Sequence, residues 1–321
     1  MPPDVYYALR DSYLQILSSL YTQTATPIEA PEKTTFGDID ILVSQPKSTS
    51  TAESLGQVLA SARAVRIPGS PITSFALPYP NRPNYYLQLD VHLSPPETFH
   101  WQLFHQSHGD LVRTFRSFSS LFCTNSRPQD IWNLLGTTIR PLGLTPNNEG
   151  LHVRIEEIED SNRKRALLFL TCDGDAVLEF LGLDTDAYKR PFGSVDSMYR
   201  YVCSSRFFND ASYVRGELKA NDRKRMTQRE LYRAFVDWLP GNAHLVGQQK
   251  EKNAQFSRDD VLEESLNRFG KREEYEKRVE GWRKERKELL AKQMGRQKRK
   301  ADAAEAEEYA AAWMGWLERN A

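Results

Sequence analysis

Three acidic side chains at alternating positions carry the most chemistry in this sequence. The octapeptide Phe36-Gly37-Asp38-Ile39-Asp40-Ile41-Leu42-Val43 reads as a turn that continues as a strand. Strand side chains point to alternate faces, so Asp38 and Asp40 share one face while Ile39, Ile41 and Val43 share the other. From Tyr85 to Leu93 the pattern repeats: Leu87, Leu89, Val91 and Leu93 alternate with Gln88, Asp90 and His92. If the two strands pair, three carboxylates converge. Such a cluster is costly through mutual repulsion unless a cation or a proton intervenes. Mg²⁺ (or Mn²⁺) suits it, as a hard cation that takes a few carboxylates and fills its remaining positions with water and phosphate oxygens. The matching chemistry is in-line attack of a hydroxyl on the α-phosphate of a nucleoside triphosphate. The competing account is that the three residues line the wet face of an antiparallel sheet.

Gly37 to Val43, followed by Gln88-Leu89-Asp90-Val91, resembles the palm of family X DNA polymerases and their nucleotidyltransferase relatives. Gly143-Leu144-Thr145-Pro146-Asn147-Asn148-Glu149-Gly150-Leu151 is similar to the Gly-x-x-Leu-Asn-x-x-Gly-Leu stretch of the subdomain after that palm, and Trp132-Asn133-Leu134-Leu135 to the helix before it. Asp173 to Leu183, ending in Leu181-Gly182-Leu183, looks like the family's acidic helix, so the matches run from about residue 36 to about 190. The resemblance implies an enzyme in which Asp38 and Asp40 bind both metals, while Asp90 binds the catalytic metal and helps activate the attacking hydroxyl. It also implies a nucleoside triphosphate substrate and a nucleic acid as candidate acceptor.

The family's phosphate cradle is a Gly-Ser pair with basic residues on a helix N-terminus, some ten residues before the Gly-Asp-x-Asp. Here Thr22 to Thr35 holds no Gly-Ser, and Lys33 is its one cation. Gly37, Lys33 and His92 are therefore the candidates for nucleotide contact. The missing pair supports an alternative: a catalytically inactive descendant that keeps the fold and acts as a nucleic-acid or protein scaffold. The 35 residues ahead of the palm are too few for the lyase region of the family's repair members, so a complete gap-filling polymerase is not expected. Ser107 to Leu111 matches the family's serine-containing turn, with Val112 to Ile131 as an insertion before Trp132.

The elements that must position these residues follow from periodicity. Val5, Leu9, Tyr13, Ile16, Leu17 and Leu20 predict an amphipathic helix, and Thr22 to Thr35 a loop. A helix over Thr51 to Arg63 and strands at Ala64 to Ile67 and Thr73 to Pro78 lead to the second acidic strand. Val153 to Glu157 and Ala166 to Thr171 predict a hairpin whose turn carries Arg163, Lys164 and Arg165. Helices fit Asp175 to Leu181, Val195 to Ser204 and Thr227 to Trp238. Past about residue 250 the composition shifts to Glu, Lys, Arg and Ala, which predicts a long charged helix partly detached from the globule.

The expected fold class is α+β: a nucleotidyltransferase-like palm with a short mixed sheet (1–95), a mainly helical region with a β-hairpin (96–245) and a charged helical tail (246–321). Basic and acidic residues both number 43, so no whole-chain field points to a partner. Locally, Lys271 to Lys300 carries a net charge of about +7, of the kind that contacts nucleic acid or serves as a nuclear address, and interleaved Glu also describes a plain solvated helix. The tail is the candidate surface for a protein partner. Cys123, Cys172 and Cys203 lack zinc or redox spacing and read as buried thiols in a reducing compartment. His100, His105 and His108 with Asp110 flank Trp101, Leu103 and Phe104, and read as a packed helix with polar ends rather than a metal site. No signal peptide or run of about 18 apolar residues is present, so an intracellular place, cytoplasmic or nuclear, is expected and a membrane partner is not. No Walker loop, nucleophile elbow, zinc-protease His pair or dinucleotide fingerprint occurs.

Overall fold

The computed structural model describes residues 1–48, 52–109, 130–213, 230–242 and 256–320. Helix α1 (Pro3–Leu20) opens with a proline in its first turn, where a missing N–H costs nothing, and buries Tyr6 and Leu17. The chain then passes directly into strand β1 (Tyr21–Ala25), where the sequence predicts a loop. The correction has a tertiary cause. The outer edge of strand β2 (Asp38–Pro46) needs a hydrogen-bonding partner, and β1 supplies it antiparallel, with Thr24 opposite Val43.

Helix α2 (Ala52–Val58) is shorter than the predicted Thr51–Arg63 segment; Thr51 lies outside the described residues. Ala60 adopts a left-handed backbone with φ of 51°, which turns the chain toward strand β3 (Arg63–Arg66). Strands β4 (Ile72–Pro78) and β5 (Tyr86–Leu93) follow at the expected places. The sheet order is β1-β2-β5-β4-β3, and β2 with β5 is its one parallel pair. The apolar face of that pair, Ile39, Ile41, Val43, Leu89 and Val91, packs with Tyr6, Leu17, Leu55 and Phe75.

A 3₁₀ turn (Pro96–Thr98) leads into helix α3 (Phe99–Gln106), then helix α4 (Asp130–Ile139). Most of the predicted insertion lies outside the described residues, but Ile131 is fully buried in α4. Strands β6 (Leu144–Asn147), β7 (Gly150–Arg154) and β8 (Leu167–Thr171) form a three-stranded antiparallel sheet in place of the predicted two-stranded hairpin. The side chain of Asn147 accepts from the Glu149 and Gly150 amides (2.7 and 3.2 Å), closing the β6–β7 turn. Gly150 has φ of 154°, and a Cβ there would lie 2.4 Å from the Thr171 carbonyl oxygen. The predicted strand over Val153 to Glu157 stops at Arg154, because Glu156–Glu159 makes a helical turn, α5, that buries Ile158.

Helix α6 (Gly174–Leu181) starts on an Asp173 cap and ends on left-handed Gly182. Helices α7 (Thr185–Tyr188), α8 (Val195–Cys203) and α9 (Glu230–Trp238) complete the second core with Trp101, Trp132 and Tyr188. The charged tail is two helices, α10 (Arg258–Arg268) and α11 (Arg272–Asn320), separated at Gly270 with φ of 63°. Val261, Leu266 and Val279 are buried, so the tail's first part belongs to the core. From residue 283 every side chain of α11 is exposed apart from the positions of Gly295 and Gly315. The fold is thus mixed α+β with a mixed five-stranded sheet and a long C-terminal helix. Cys203 is buried, which pushes its thiol up to about 12, whereas Cys172 is only half-buried, and Cys123 lies outside the described residues.

Candidate metal centre

Strand β2 enters the sheet immediately after Gly37, which is exposed at a bend. Its entry is held from behind: the Phe36 amide donates to the Met1 carbonyl oxygen (2.9 Å), and the Phe36 ring stacks on Tyr6. Parallel pairing then puts Asp40 directly beside Asp90, and Asp38 beside Gln88. One carboxylate oxygen from each of Asp38, Asp40 and Asp90 lies within 4.8 Å of the others. Asp38 and Asp90 are buried at 8% exposure each, and Asp40 is half-buried. Among the described residues no other group of three acidic, histidine or cysteine side chains converges this way.

Three like charges at this spacing repel by roughly 3 kcal/mol per pair at an effective dielectric near 20. A divalent cation at their centre turns that repulsion into attraction, and an all-oxygen donor set suits a hard one. The three carboxylates are therefore a set that could hold a metal ion. The side-chain amide of Gln88 donates to Asp90 (2.9 Å), which orients that carboxylate from its own strand.

His92 lies on the same face of β5, about 6.6 Å farther along the strand. It is buried beneath α3, where its Nδ1 stands 3.4 Å from the Gln106 amide nitrogen. Lys33 donates to Glu29 (2.8 Å) and sits 4.6 Å from the centre of the Phe36 ring. Glu29 also accepts from the Tyr6 hydroxyl. Burial, first, and then the charge of Glu29 raise the Tyr6 pKa, and the charge of Asp40 adds to both. Tyr6 and Glu29 thus border the cluster, and the sequence reading missed them: an aromatic on an amphipathic helix and a lone acid in a Pro- and Thr-rich stretch carry no signal of a shared network.

The chain passes positions 26–35 with no helix. Its backbone is engaged instead by the turn after α3: the Ile28 amide donates to Ser107 Oγ (3.1 Å), and the His108 amide donates to the Ile28 carbonyl oxygen (2.7 Å). His108 has φ of 59°, with its Nε2 2.7 Å from the Tyr188 carbonyl oxygen. Burial lowers its pKa to about 4, and burial lowers that of His105 to about 3. Both are packing histidines, in line with the helix reading; Asp110 lies outside the described residues.

No protein-family model matches the chain, and no curated protein matches it.

Of the basic residues in the predicted hairpin turn, Arg165 is held by the tail, and two arginines of the helical region, Arg200 and Arg206, are also paired. Arg165 forms a two-point pair with Glu285 on α11 (2.8 and 2.9 Å), Arg200 pairs with Asp196, and Arg206 lies against Phe180, Phe207 and Phe256 and pairs with Glu264. Among the described residues no helix is long and apolar enough to cross a membrane.

Proposed function

We propose that this chain is a metal-dependent nucleotidyltransferase that moves a nucleoside monophosphate from a nucleoside triphosphate to a hydroxyl acceptor. The observation that carries this reading is the convergence of Asp38, Asp40 and Asp90 from two parallel strands. The similarity of the same residues to the palm of family X polymerases supports it. Bound there, Mg²⁺ or Mn²⁺ supplies Lewis-acid polarisation of the α-phosphate and lowers the pKa of the attacking hydroxyl. Asp38 and Asp40, two residues apart on one strand face, hold the triphosphate side of the site. Asp90, on the neighbouring strand, receives the acceptor hydroxyl and helps to draw off its proton. Gly37 gives the triphosphate close access to the backbone before Asp38, and His92 lies behind Asp90 as a polar floor. A nucleic acid is the proposed acceptor class, in the cytoplasm or nucleus.

One observation favours a second reading, a metal-binding scaffold without transfer activity. The segment where the family's phosphate cradle falls spends its Ile28 amide on Ser107, and its one lysine is paired with Glu29. Incubation with labelled nucleoside triphosphates, Mg²⁺ or Mn²⁺ and RNA or DNA acceptors separates the two. Transfer by the parent that vanishes in Asp38→Asn supports the enzyme. Calorimetry that finds Mn²⁺ binding but no nucleotide binding supports the scaffold, and absence of Mn²⁺ binding sinks both.

A further inference from the structure

Helix α11 changes its chemistry halfway along its exposed span. From Arg283 to Lys300 there are nine basic and two acidic residues; from Ala301 to Asn320 there are five acidic and one basic. Arg283 and Arg278 anchor its start to the globule, through Glu157 (2.8 Å) and the Leu167 carbonyl oxygen (2.8 Å). Beyond them the helix projects for about 50 Å at 1.5 Å per residue, with Tyr309, Trp313 and Trp316 at least half exposed. The two tryptophan rings stack on each other with centres 5.4 Å apart and on nothing else described.

One stripe of this helix reads the same in both directions by spacing. Lys287, Ala291, Met294 and Lys298 recur at intervals of four, three and four, and Glu305, Tyr309, Ala312 and Trp316 repeat those intervals. A half-turn about a point between Ala301 and Asp302 superposes one set on the other. It sets Lys298 opposite Glu305, Met294 opposite Tyr309, Ala291 opposite Ala312 and Lys287 opposite Trp316, with Leu290 and Trp313 at the same height on the flank. Each of these four facing pairs is oppositely charged, apolar or cation on aromatic, and a like-charged pair, Lys284 with Arg319, falls only at the outer ends of the overlap. The axis also falls at the middle of the exposed span, so two copies overlap over its full length.

We infer that α11 is a self-association helix: it pairs antiparallel with α11 of a second copy of this chain, in the register that joins Lys298 to Glu305. A parallel pair would set the basic half against the basic half, and this repulsion selects the antiparallel arrangement. The two-fold axis makes each contact occur twice, so a single charge reversal acts at two places in the dimer.

Sedimentation velocity of the full chain across the micromolar range tests this. The parent should sediment as a dimer; Lys298→Glu and Glu305→Lys should each raise its dissociation constant about ten-fold or more, and the double variant should restore it. These residues are exposed, and circular dichroism checks that each variant keeps its helix. On oxidation, Ala301→Cys, at the axis, should link two copies, whereas Met294→Cys should link no more than the parent does. A parent that stays monomeric, including one that binds RNA through the basic half as a monomer, overturns the inference. So does a double variant no better than the singles, or a Met294→Cys chain that links to itself.

Discussion

Asp40 is the residue on which the candidate metal centre turns, because it belongs to both strands' geometry: two positions from Asp38 along β2 and directly across from Asp90 on β5. Replacing it with Asn removes one of three clustered charges and one of the three carboxylates that could hold a metal ion. Without metal, Asp40→Asn should melt at or above the parent's temperature, since a repulsion is relieved. With Mn²⁺ at about 100 times its dissociation constant the parent should gain roughly 2.7 kcal/mol by mass action, and the variant should gain little. Thermal scans with and without Mn²⁺ check both signs, and an equal metal-induced shift in the two proteins would remove Asp40 from the site. His105 and His108 give a second prediction. Their folded pKa values, about 3 and about 4, lie below the unfolded value near 6.5. The unfolded chain therefore binds protons first as pH drops, so their contribution is complete above about pH 6.5 and is lost progressively toward pH 4. The urea midpoint should fall between pH 7 and pH 5, and less steeply in His108→Gln, whose side chain does not titrate.

At the scale of elements, the turn between β6 and β7 is set by Asn147 and Gly150. Gly150→Ala puts a methyl group against the Thr171 carbonyl oxygen in a backbone region that side chains rarely adopt. It should cost roughly 2–3 kcal/mol, read as a lower urea midpoint. Because this sheet belongs to the second core, Mn²⁺ binding by the folded variant should be unchanged. The Pro- and Thr-rich lead into β2 shows where local pattern fails. Tyr21 to Ala25 has no apolar alternation, yet it is a strand because β2 offers it an open edge, and backbone hydrogen bonds carry no side-chain signature.

In the whole molecule, α11 divides into a docked start and an exposed remainder. Chains truncated after Glu285 retain Val279 in the core and the Arg165–Glu285 pair, and lose no buried side chain. Their melting temperature at low protein concentration should match the parent's, whereas Val279→Asp should lower it by burying an unpaired charge. A truncated chain that melts far lower would show that the exposed half supports the globule.

Period-two alternation in two short segments was enough to place Asp38, Asp40 and Asp90 on polar strand faces and their apolar neighbours in a core, because strand geometry leaves a side chain only two directions. The long charged helix was equally legible, since a run of Glu, Lys, Arg and Ala without proline satisfies its backbone internally. Whether β2 and β5 would be neighbours, parallel and in the register that joins Asp40 to Asp90, was a matter for the tertiary structure alone. That pairing spans some fifty residues of chain, and it depends on α2, β3 and β4 crossing over to bring β5 alongside β2. The engagement of Lys33 by Glu29, and of Ile28 by Ser107, was decided the same way: contacts between segments far apart in sequence leave no local periodicity to read.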